Sequence, residues 1–258
     1  MRLGLPFRLE WVCVGAVRAM VSCLGLCLAL SSSAGAADEP VIELHQRLGE
    51  GAVQRSAVAL TFDACGGDVD TALLQTLIRL NVPATLFVTQ RWLVRNPTAA
   101  VLIAGQPELF EVENHGARHL PAVLGSRQRV YGMVPVTDLA ALQREVQQGA
   151  AAVEAASART PRYFRSAGAV YDAAAMREIE ALGYRLAGFS VNADSGATQP
   201  AAEVTRRLLA VKPGDVVIAH MNRPKSGTAQ GFAQALPQLQ QRGLRFVLLA
   251  QAQLQRQP

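Results

Sequence analysis

The two histidines of "ENHGARH" are the clearest candidates for chemistry in this sequence. His115 and His119 are four residues apart, so on a helical turn both imidazoles would face one side, at a separation that a single metal ion can bridge. A zinc peptidase of the HExxH type carries a glutamate directly after its first histidine, whereas this sequence has Gly116 there. The spacing therefore predicts a metal site and argues against peptidase chemistry, and the alternative is a chance pair on a surface turn.

A carboxylate and a thiol stand together in "ALTFDACGG", where an apolar run of strand character ends. Asp63 is predicted to act as a base or a metal ligand, although it could instead cap the turn by accepting hydrogen bonds from the amides of Gly66 or Gly67. Cys65 has no partner in the sequence that would identify it as a nucleophile. It is either a small core thiol beneath the turn or an additional ligand.

Arg165 in "YFRSAG" and His220 in "VVIAHMNRP" each follow apolar strand residues. A guanidinium in that position must find an anion, and Asp63 is the candidate. His220 can donate a proton to a leaving group, because histidine titrates near neutrality. The alternative for His220 is a buried imidazole that is satisfied by backbone carbonyls.

The elements that must position these residues alternate regularly along the chain. Short β-branched or aromatic runs have the length and composition of buried strands, and helical stretches lie between most of them. The predicted strands are 57–62, 83–89, 109–112, 162–166, 184–191, 214–220 and 244–250, and the predicted helices are 69–80, 91–104, 137–158, 173–182, 201–211 and 229–242. About seven such units indicate an α/β fold and favour a parallel barrel over an open doubly wound sheet.

In a parallel barrel the functional site lies where the strands end and the loops begin. Asp63 ends the first predicted strand, the histidine pair follows the third, and Arg165 lies on the fourth. Asn192 and Asp194 follow the fifth strand, and His220 ends the sixth. These polar residues are therefore predicted to collect at one rim.

The first 36 residues have the three parts of a secretory signal peptide, namely arginines, a short apolar run and small residues before Ala37. The alternative is a membrane anchor, but the continuous apolar part is shorter than the ~20 residues of a span. Export to the periplasm or the medium is expected, with no stable membrane insertion after cleavage. Three of the four cysteines lie in this segment, so Cys65 is left without an intramolecular disulfide partner.

The remaining chain is expected to hold a polar lead-in without a core role, residues 37–55, and one domain, residues 56–258. Removing residues 1–36 takes away three arginines and one glutamate and lowers the net charge from +5 to +3. No lysine or arginine stripe is present, so no nucleic-acid partner is expected. A mildly basic surface would suit an anionic envelope polymer.

The order of these motifs resembles the NodB-homology polysaccharide deacetylases over about residues 56–250. "LTFDACGG" is similar to their first motif, a strand ending in TFDD, and "ENHGARHLP" is similar to their second, a histidine pair after an asparagine. "YFRSAGAVYD" matches the third motif at Phe164, Arg165 and Tyr171, and "GDVVIAH" with the last helix and strand resembles the closing unit. The resemblance implies an irregular (β/α)7 barrel.

The resemblance also implies a role for each matching residue. Asp63 corresponds to the general base, His115 and His119 to two ligands of a divalent metal, expected to be zinc, Arg165 to the residue that orients the base, and His220 to the acid. In that chemistry the metal polarises an acetamide carbonyl and activates water, which the base deprotonates, and the acid protonates the departing amine.

Departures from the family pattern affect the ligand set most. Ala64 stands where the resemblance places a metal-binding aspartate. Three sources of the missing metal ligand are open. Asp63 binds the metal itself, which is ranked first; the Cys65 thiolate binds it, which would suit zinc; or waters complete the coordination shell.

The third and fourth motifs also depart from the pattern. The third has Ser166-Ala167 in place of two prolines and Gly168 in place of an aromatic residue, and the fourth, "SVNADSGAT", has no tryptophan. Asp194 is close to the expected acid position but out of step, so it is kept as a possible support for His220.

The sequence as a whole predicts an exported, metal-dependent hydrolase that removes N-acetyl groups, or alternatively O-acetyl groups, from an envelope or extracellular polysaccharide. One alternative is a metal-independent amidohydrolase that acts on a carbon–nitrogen bond through Asp63 and His220. The other is a non-catalytic carbohydrate-binding protein that keeps the rim but has lost turnover.

Overall fold

The computed structural model describes residues 40–50, 56–126 and 128–257, and the predicted signal peptide lies outside them. The strands are β1 (Ile42–Glu43), β2 (Gln46–Leu48), β3 (Ala57–Ala64), β4 (Ala84–Val88), β5 (Phe110–Asn114), β6 (Tyr163–Phe164), β7 (Val170–Tyr171), β8 (Arg185–Leu186), β9 (Val191–Asn192), β10 (Val216–His220), β11 (Arg245–Val247) and β12 (Leu254–Arg256). The helices are α1 (Thr71–Leu80), α2 (Gln90–Arg95), α3 (Pro97–Ala104), α4 (Leu139–Ser157), α5 (Ala173–Ala181), α6 (Ala201–Leu209) and α7 (Thr228–Gln241). None of the helices in the described part of the chain has the length and apolarity to cross a membrane.

A parallel sheet of eight strands forms the centre of the fold, in the order β8-β6-β5-β4-β3-β10-β9 with β11 beside β3. One edge of β3 pairs with β10, while its other edge is shared between β11, at residues 57–59, and β4, at residues 61–64. The sheet curls into a half-barrel with helices outside, which confirms the predicted α/β barrel-like fold.

Alternate side chains of β3 face different layers, as the pleat requires. Val58, Leu60, Phe62 and Ala64 belong to the larger apolar cluster, which also contains side chains of α1, α6 and α7. Ala57 and Ala59 belong to a smaller cluster inside the curled sheet. Asp63 follows the inner set and Ala64 the outer one, so two adjacent residues at the end of this strand face opposite sides of the sheet.

Two predicted elements are divided in the structure. The helix predicted over 91–104 breaks into α2 and α3 at Asn96, whose side chain bonds to the backbone of Val69 and Gly67 at 3.0 Å each. The strand predicted over 184–191 breaks into β8 and β9 around Gly188. A Cβ at Gly188 would collide with the carbonyl oxygen of Leu44, so the crossing of another segment requires glycine there.

The expectation that residues 37–55 have no core role is wrong for the described part of that segment. Leu44 and Leu48 are 3% and 6% exposed and pack in two of the apolar clusters. Gln46 between them is also buried and accepts a hydrogen bond from the Gly188 amide at 2.6 Å. In the sequence, the polar Gln46 therefore obscures the apolar alternation of a buried strand. Its side-chain amide can be buried because the backbone of a neighbouring segment supplies its hydrogen-bond partner.

Replacing Leu44 with alanine should lower the free energy of unfolding by about 2–5 kcal/mol, because it removes a buried side chain and leaves a cavity. Val41→Ala, three residues earlier at a 43% exposed position, is the matched control and should change it by about 0.5 kcal/mol or less. Urea unfolding of both variants measures the difference. Equal stabilities would show that this segment does not contribute to the core.

Candidate active site

A cavity of about 1220 Å³ opens at the carboxyl ends of the parallel strands. Asp63, Cys65, His119 and His220 contribute to its wall. His115 and Arg165 lie directly behind them and are 1% and 0% exposed. The structure therefore brings together the residues that were singled out at the predicted rim.

Asp63 and Arg165 form a buried ion pair inside the curled sheet. The Arg165 Nη1 atom donates to Asp63 Oδ1 and to Thr61 Oγ1, both at 2.9 Å, and Nη2 donates to the Gly188 carbonyl at 2.8 Å. The guanidinium also lies 4.0 Å above the centre of the Phe87 ring. Burial acts to raise the pKa of Asp63, but the charges of His115, Arg165 and His220 outweigh it and lower the pKa, so the carboxylate stays ionised.

His115 is oriented by the backbone of the same arginine. Its Nδ1 atom donates to the Arg165 carbonyl at 2.8 Å, since a carbonyl can only accept. The Nε2 atom therefore faces the cavity side, 3.5 Å from Cys65 Sγ and 3.5 Å from Asp63 Oδ2. A ring nitrogen fixed by a hydrogen bond at the other nitrogen is the usual arrangement of a metal-ligating histidine.

The loop after β5 brings His119 to His115 without a helical turn, so the predicted helical spacing is wrong although the two rings meet. Their centroids are 4.8 Å apart in an edge-to-face arrangement. The chain takes positive φ at Gly116 (85°) and at His119 (65°), which folds the segment back on itself. A Cβ at Gly116 would collide with the carboxylate of Glu145, so glycine is required there for space as well as for conformation.

Glu145 holds this loop in place, and sequence reasoning missed it. Its buried carboxylate accepts hydrogen bonds from the amides of Arg118, at 2.9 and 3.0 Å, and Leu120, at 3.1 Å. The available signal was its position on α4, where it lies on the buried side with Leu142 and Val146. An acid on an apolar helix face must find donors, and here the donors are the amides on either side of His119.

Cys65 completes a group of three possible ligands with His115 and His119. One donor atom from each residue lies within 4.8 Å of the other two. Burial acts to raise the pKa of the Cys65 thiol, but hydrogen bonds to His115, His119 and His220 outweigh it and hold the pKa well below its usual value. The thiolate, which is the form that binds metals, is therefore the favoured state.

The converging donor atoms favour the Cys65 thiolate over Asp63, which was ranked first as the source of the missing ligand. Asp63 Oδ1 is occupied by Arg165, and Asp63 is not one of the three residues whose donor atoms converge. Ala64 lies in the outer apolar cluster, so a side chain there faces away from the histidine pair. The turn after β3 instead directs Cys65 to the two histidines.

The donor set fits zinc. Thiolate sulfur and imidazole nitrogen are the ligands that Zn²⁺ prefers, and three protein ligands with one open position are typical of catalytic zinc. His119 and Cys65 line the cavity, so the open position would be reachable from it. The three residues that would hold the ion are therefore Cys65, His115 and His119.

Asp194 supports His220, a role that the sequence analysis had left open for it. The His220 Nδ1 atom donates to Asp194 Oδ1 at 2.9 Å, and the His220 amide donates to Asp194 Oδ2 at 2.8 Å. Thr228 Oγ1 donates to the same Oδ2 at 2.9 Å. Burial acts to lower the pKa of His220, but Asp194 and Cys65 outweigh it and raise the pKa well above its usual value. Asn192 lines the same cavity, and its side-chain oxygen accepts a hydrogen bond from the Ser195 amide at 2.8 Å.

Comparison with known proteins identifies the family of this chain. The family model of polysaccharide deacetylases matches residues 50–187, which is more than half of the chain. The chain therefore belongs to the polysaccharide deacetylase family. The predicted family is confirmed, and the predicted enzyme class, a hydrolase of carbon–nitrogen bonds other than peptide bonds, is that of the family's deacetylases. A search of curated proteins finds no match.

Solved structures share the fold at low sequence identity. A CE4 family pseudoenzyme from Bacillus anthracis is 20% identical with a TM-score of 0.62, over 78% of this chain and 65% of that chain. A peptidoglycan N-acetylglucosamine deacetylase is 20% identical with a TM-score of 0.66, over 78% and 89%. The family 4 carbohydrate esterase PdaA from Bacillus subtilis is 18% identical with a TM-score of 0.63, over 79% and 82%. This chain thus spans less than two thirds of the first of these structures.

Replacing Glu145 with alanine should weaken zinc binding about 10- to 100-fold, the effect of losing a group that orients metal ligands, because the amides that flank His119 lose their acceptor. Glu154→Ala, on the exposed face of the same helix, is the control and should bind zinc as the parent does. Competition with a zinc chelator measures both affinities. An unchanged affinity for Glu145→Ala would show that the loop holds His119 without this carboxylate.

Proposed function

We propose that this chain is a zinc-dependent deacetylase that hydrolyses N-acetyl groups of an envelope or extracellular polysaccharide. One observation carries the proposal: the donor atoms of Cys65, His115 and His119 converge within 4.8 Å beside the cavity that also holds Asp63 and His220. A metal site, an ionised carboxylate and a braced histidine on one cavity are the parts that amide hydrolysis requires.

Zinc held at this site would supply a Lewis acid that polarises the acetyl carbonyl. The protein prepares its ligands in advance. His115 is fixed in the tautomer that leaves Nε2 free, because the Arg165 carbonyl accepts its Nδ1 proton. Cys65 is stabilised as a thiolate by the histidines around it, so the sulfur is already in the form that binds metals.

Asp63 is the proposed base that accepts a proton from the attacking water. The charges of His115, Arg165 and His220 lower the pKa of Asp63 and keep the carboxylate ionised, and the Arg165 hydrogen bond at Oδ1 fixes its orientation. Its Oδ2 atom makes only the longer 3.5 Å contact with His115, so this oxygen remains available to receive a proton. The side of the carboxylate that reacts is therefore set by the arginine.

His220 is the proposed acid that protonates the departing amine. Asp194 accepts the Nδ1 proton, so Nε2 is the nitrogen directed away from the brace. The side chain is 16% exposed and lies on the cavity wall, where it can meet a substrate. The pairing with a buried carboxylate also stabilises the imidazolium that must be present before the proton is transferred.

The substrate is proposed to be an acetylated glycan, because the cavity is open and large enough for a sugar ring with its acetyl group. N-acetyl and O-acetyl hydrolysis pass through the same kind of tetrahedral oxyanion, so O-acetyl esters are the alternative substrate. Export is proposed on the arginines, apolar run and small residues of 1–36, with the periplasm or the medium as location.

The decisive experiment combines zinc content with acetate release from N-acetylglucosamine oligomers and peptidoglycan. The parent should contain about one zinc per chain, the fourth position being left open, and should release acetate. Cys65→Ala should lose most of both because one of three ligands is removed. Cys65→Asp supplies an oxygen donor at the same position and is the matched control, which should recover part of the metal binding.

Other outcomes identify the alternatives. Full acetate release after exhaustive chelation, with no zinc found by elemental analysis, would assign catalysis to Asp63 and His220 without a metal. Glycan binding that survives Asp63→Ala, together with no turnover by the parent, would identify a non-catalytic carbohydrate-binding protein. Zinc content that is unchanged in Cys65→Ala would contradict the proposed ligand set.

Replacing Asp194 with asparagine should lower kcat by roughly 10²- to 10⁴-fold, the range of general acid–base catalysis. Asparagine has one acceptor oxygen for the His220 amide, Thr228 and His220 Nδ1, and its NH2 group next to Nδ1 would favour the wrong tautomer of His220. Zinc content should not change, since Asp194 is not among the three converging donors. Asp68→Asn, at a carboxylate with 66% side-chain exposure, is the control and should keep the parent's kcat. A parental kcat in Asp194→Asn would exclude this pair from the proton transfer.

A further inference from the structure

The tip of the loop between β5 and α4 carries a conformation that its sequence does not favour. Tyr131 and Gly132 have φ of 49° and 75°, and two backbone hydrogen bonds of 2.9 Å between Val130 and Met133 close the turn around them. A tight turn with positive φ at both central residues favours asparagine, aspartate or glycine. A tyrosine in the left-handed region is an outlier for a bulky residue, and such strain is found preferentially at functional sites.

The ring of Tyr131 is held at the cavity rather than left free. A Cβ built on Gly168 would lie 3.0 Å from Tyr131 Cδ2, so the ring lies against this glycine and would have to shift to make room for a larger residue. The Tyr131 hydroxyl donates to Glu43 Oε2 at 3.2 Å, and Arg129 donates to the Gly132 carbonyl at 2.7 Å. The ring position is therefore fixed at one edge, at its hydroxyl and through the turn.

Most of this ring is nevertheless open to solvent. Tyr131 is 66% exposed, one of the large apolar or aromatic side chains in the described residues that the core does not cover. It lines the same cavity as Asp63, Cys65 and His220, together with Met133 and Glu43. An aromatic ring that is rigid before binding offers contact area at a small cost in conformational entropy.

We propose that Tyr131 is a stacking platform for a pyranose ring of the glycan, and that it forms a binding subsite beside the candidate active site. The apolar C–H face of a sugar ring matches the exposed face of the tyrosine. The Glu43 carboxylate at the edge of the platform can accept hydrogen bonds from sugar hydroxyls. This proposal rests on the proposed function for the identity of the glycan, and it makes Tyr131 a residue that determines specificity for oligomers.

Binding of an N-acetylglucosamine tetramer, measured by calorimetry, tests the platform. Tyr131→Asn removes the ring but suits the left-handed turn, so its thermal unfolding midpoint should not fall, and its Kd should rise about tenfold, equivalent to about 1.4 kcal/mol. Tyr131→Phe keeps the ring and should retain most of the affinity. Val101→Asn, at an exposed apolar position of α3 that does not line the cavity, should bind as the parent does.

Several results would overturn the platform. They are parental affinity in Tyr131→Asn, no binding by the parent, or an equal loss in Tyr131→Phe, which would assign the effect to the bond with Glu43. Acetate release by the parent is a separate readout of the proposed function. Binding that weakens in Tyr131→Asn while no acetate is released would support the platform and remove the deacetylase proposal.

Discussion

The site depends on one buried arginine, because Arg165 fixes both the carboxylate of Asp63 and the imidazole of His115. Its guanidinium binds Asp63, and its backbone carbonyl accepts the Nδ1 proton of His115. Taking a guanidinium out of water is costly unless its charge and its donors find partners. Here Asp63, Thr61 and the Gly188 carbonyl accept hydrogen bonds from Nη1 and Nη2 inside the half-barrel, while Nε has no hydrogen-bond partner among the described residues. Removing one member of such a pair typically costs about 3–5 kcal/mol, so the pair constrains the fold as well as the chemistry. A displacement of Arg165 at the end of β6 would therefore disturb Asp63 and His115 together.

Around this arginine, the charges of the site are balanced in a small volume. Asp63 and Cys65 are anionic in their favoured states, and the three histidines His115, His119 and His220 lie among them. Asp63 and Cys65 raise the pKa of His115 despite its burial, so in the absence of a metal a proton on this imidazole compensates part of the negative charge. A divalent cation bound at His115 would displace that proton. The same cluster that stabilises the thiolate is thus prepared to exchange protons for a metal ion.

The sequence predicted the elements and the chemical groups of this site better than the directions of its side chains. Asp63, His115, Arg165 and His220 could be identified because polar residues at the ends of apolar strands converge in a parallel sheet. Glu145 was missed because its partners are backbone amides more than twenty residues away, and residue type carries no sign of such a contact. Leu44 and Leu48 were missed because the buried Gln46 between them disguises the apolar alternation. The bend at Gly116 was missed because the four-residue spacing fits a helical turn as well as a loop.

The pair Ala64 and Cys65 shows why direction was the hardest quantity to infer. Along a strand the side chains alternate, so the residue after Asp63 faces the helices and packs in the outer cluster. The next side chain returns to the inner face as the strand ends, and this places Cys65 rather than residue 64 beside the histidines. A low-pKa thiol that reaches a cavity is chemically reactive and prone to oxidation, so a packing role alone does not explain it. Coordination to zinc would protect the thiolate and give the cysteine a function, so the residue that first looked out of place is explained by the geometry of the strand end.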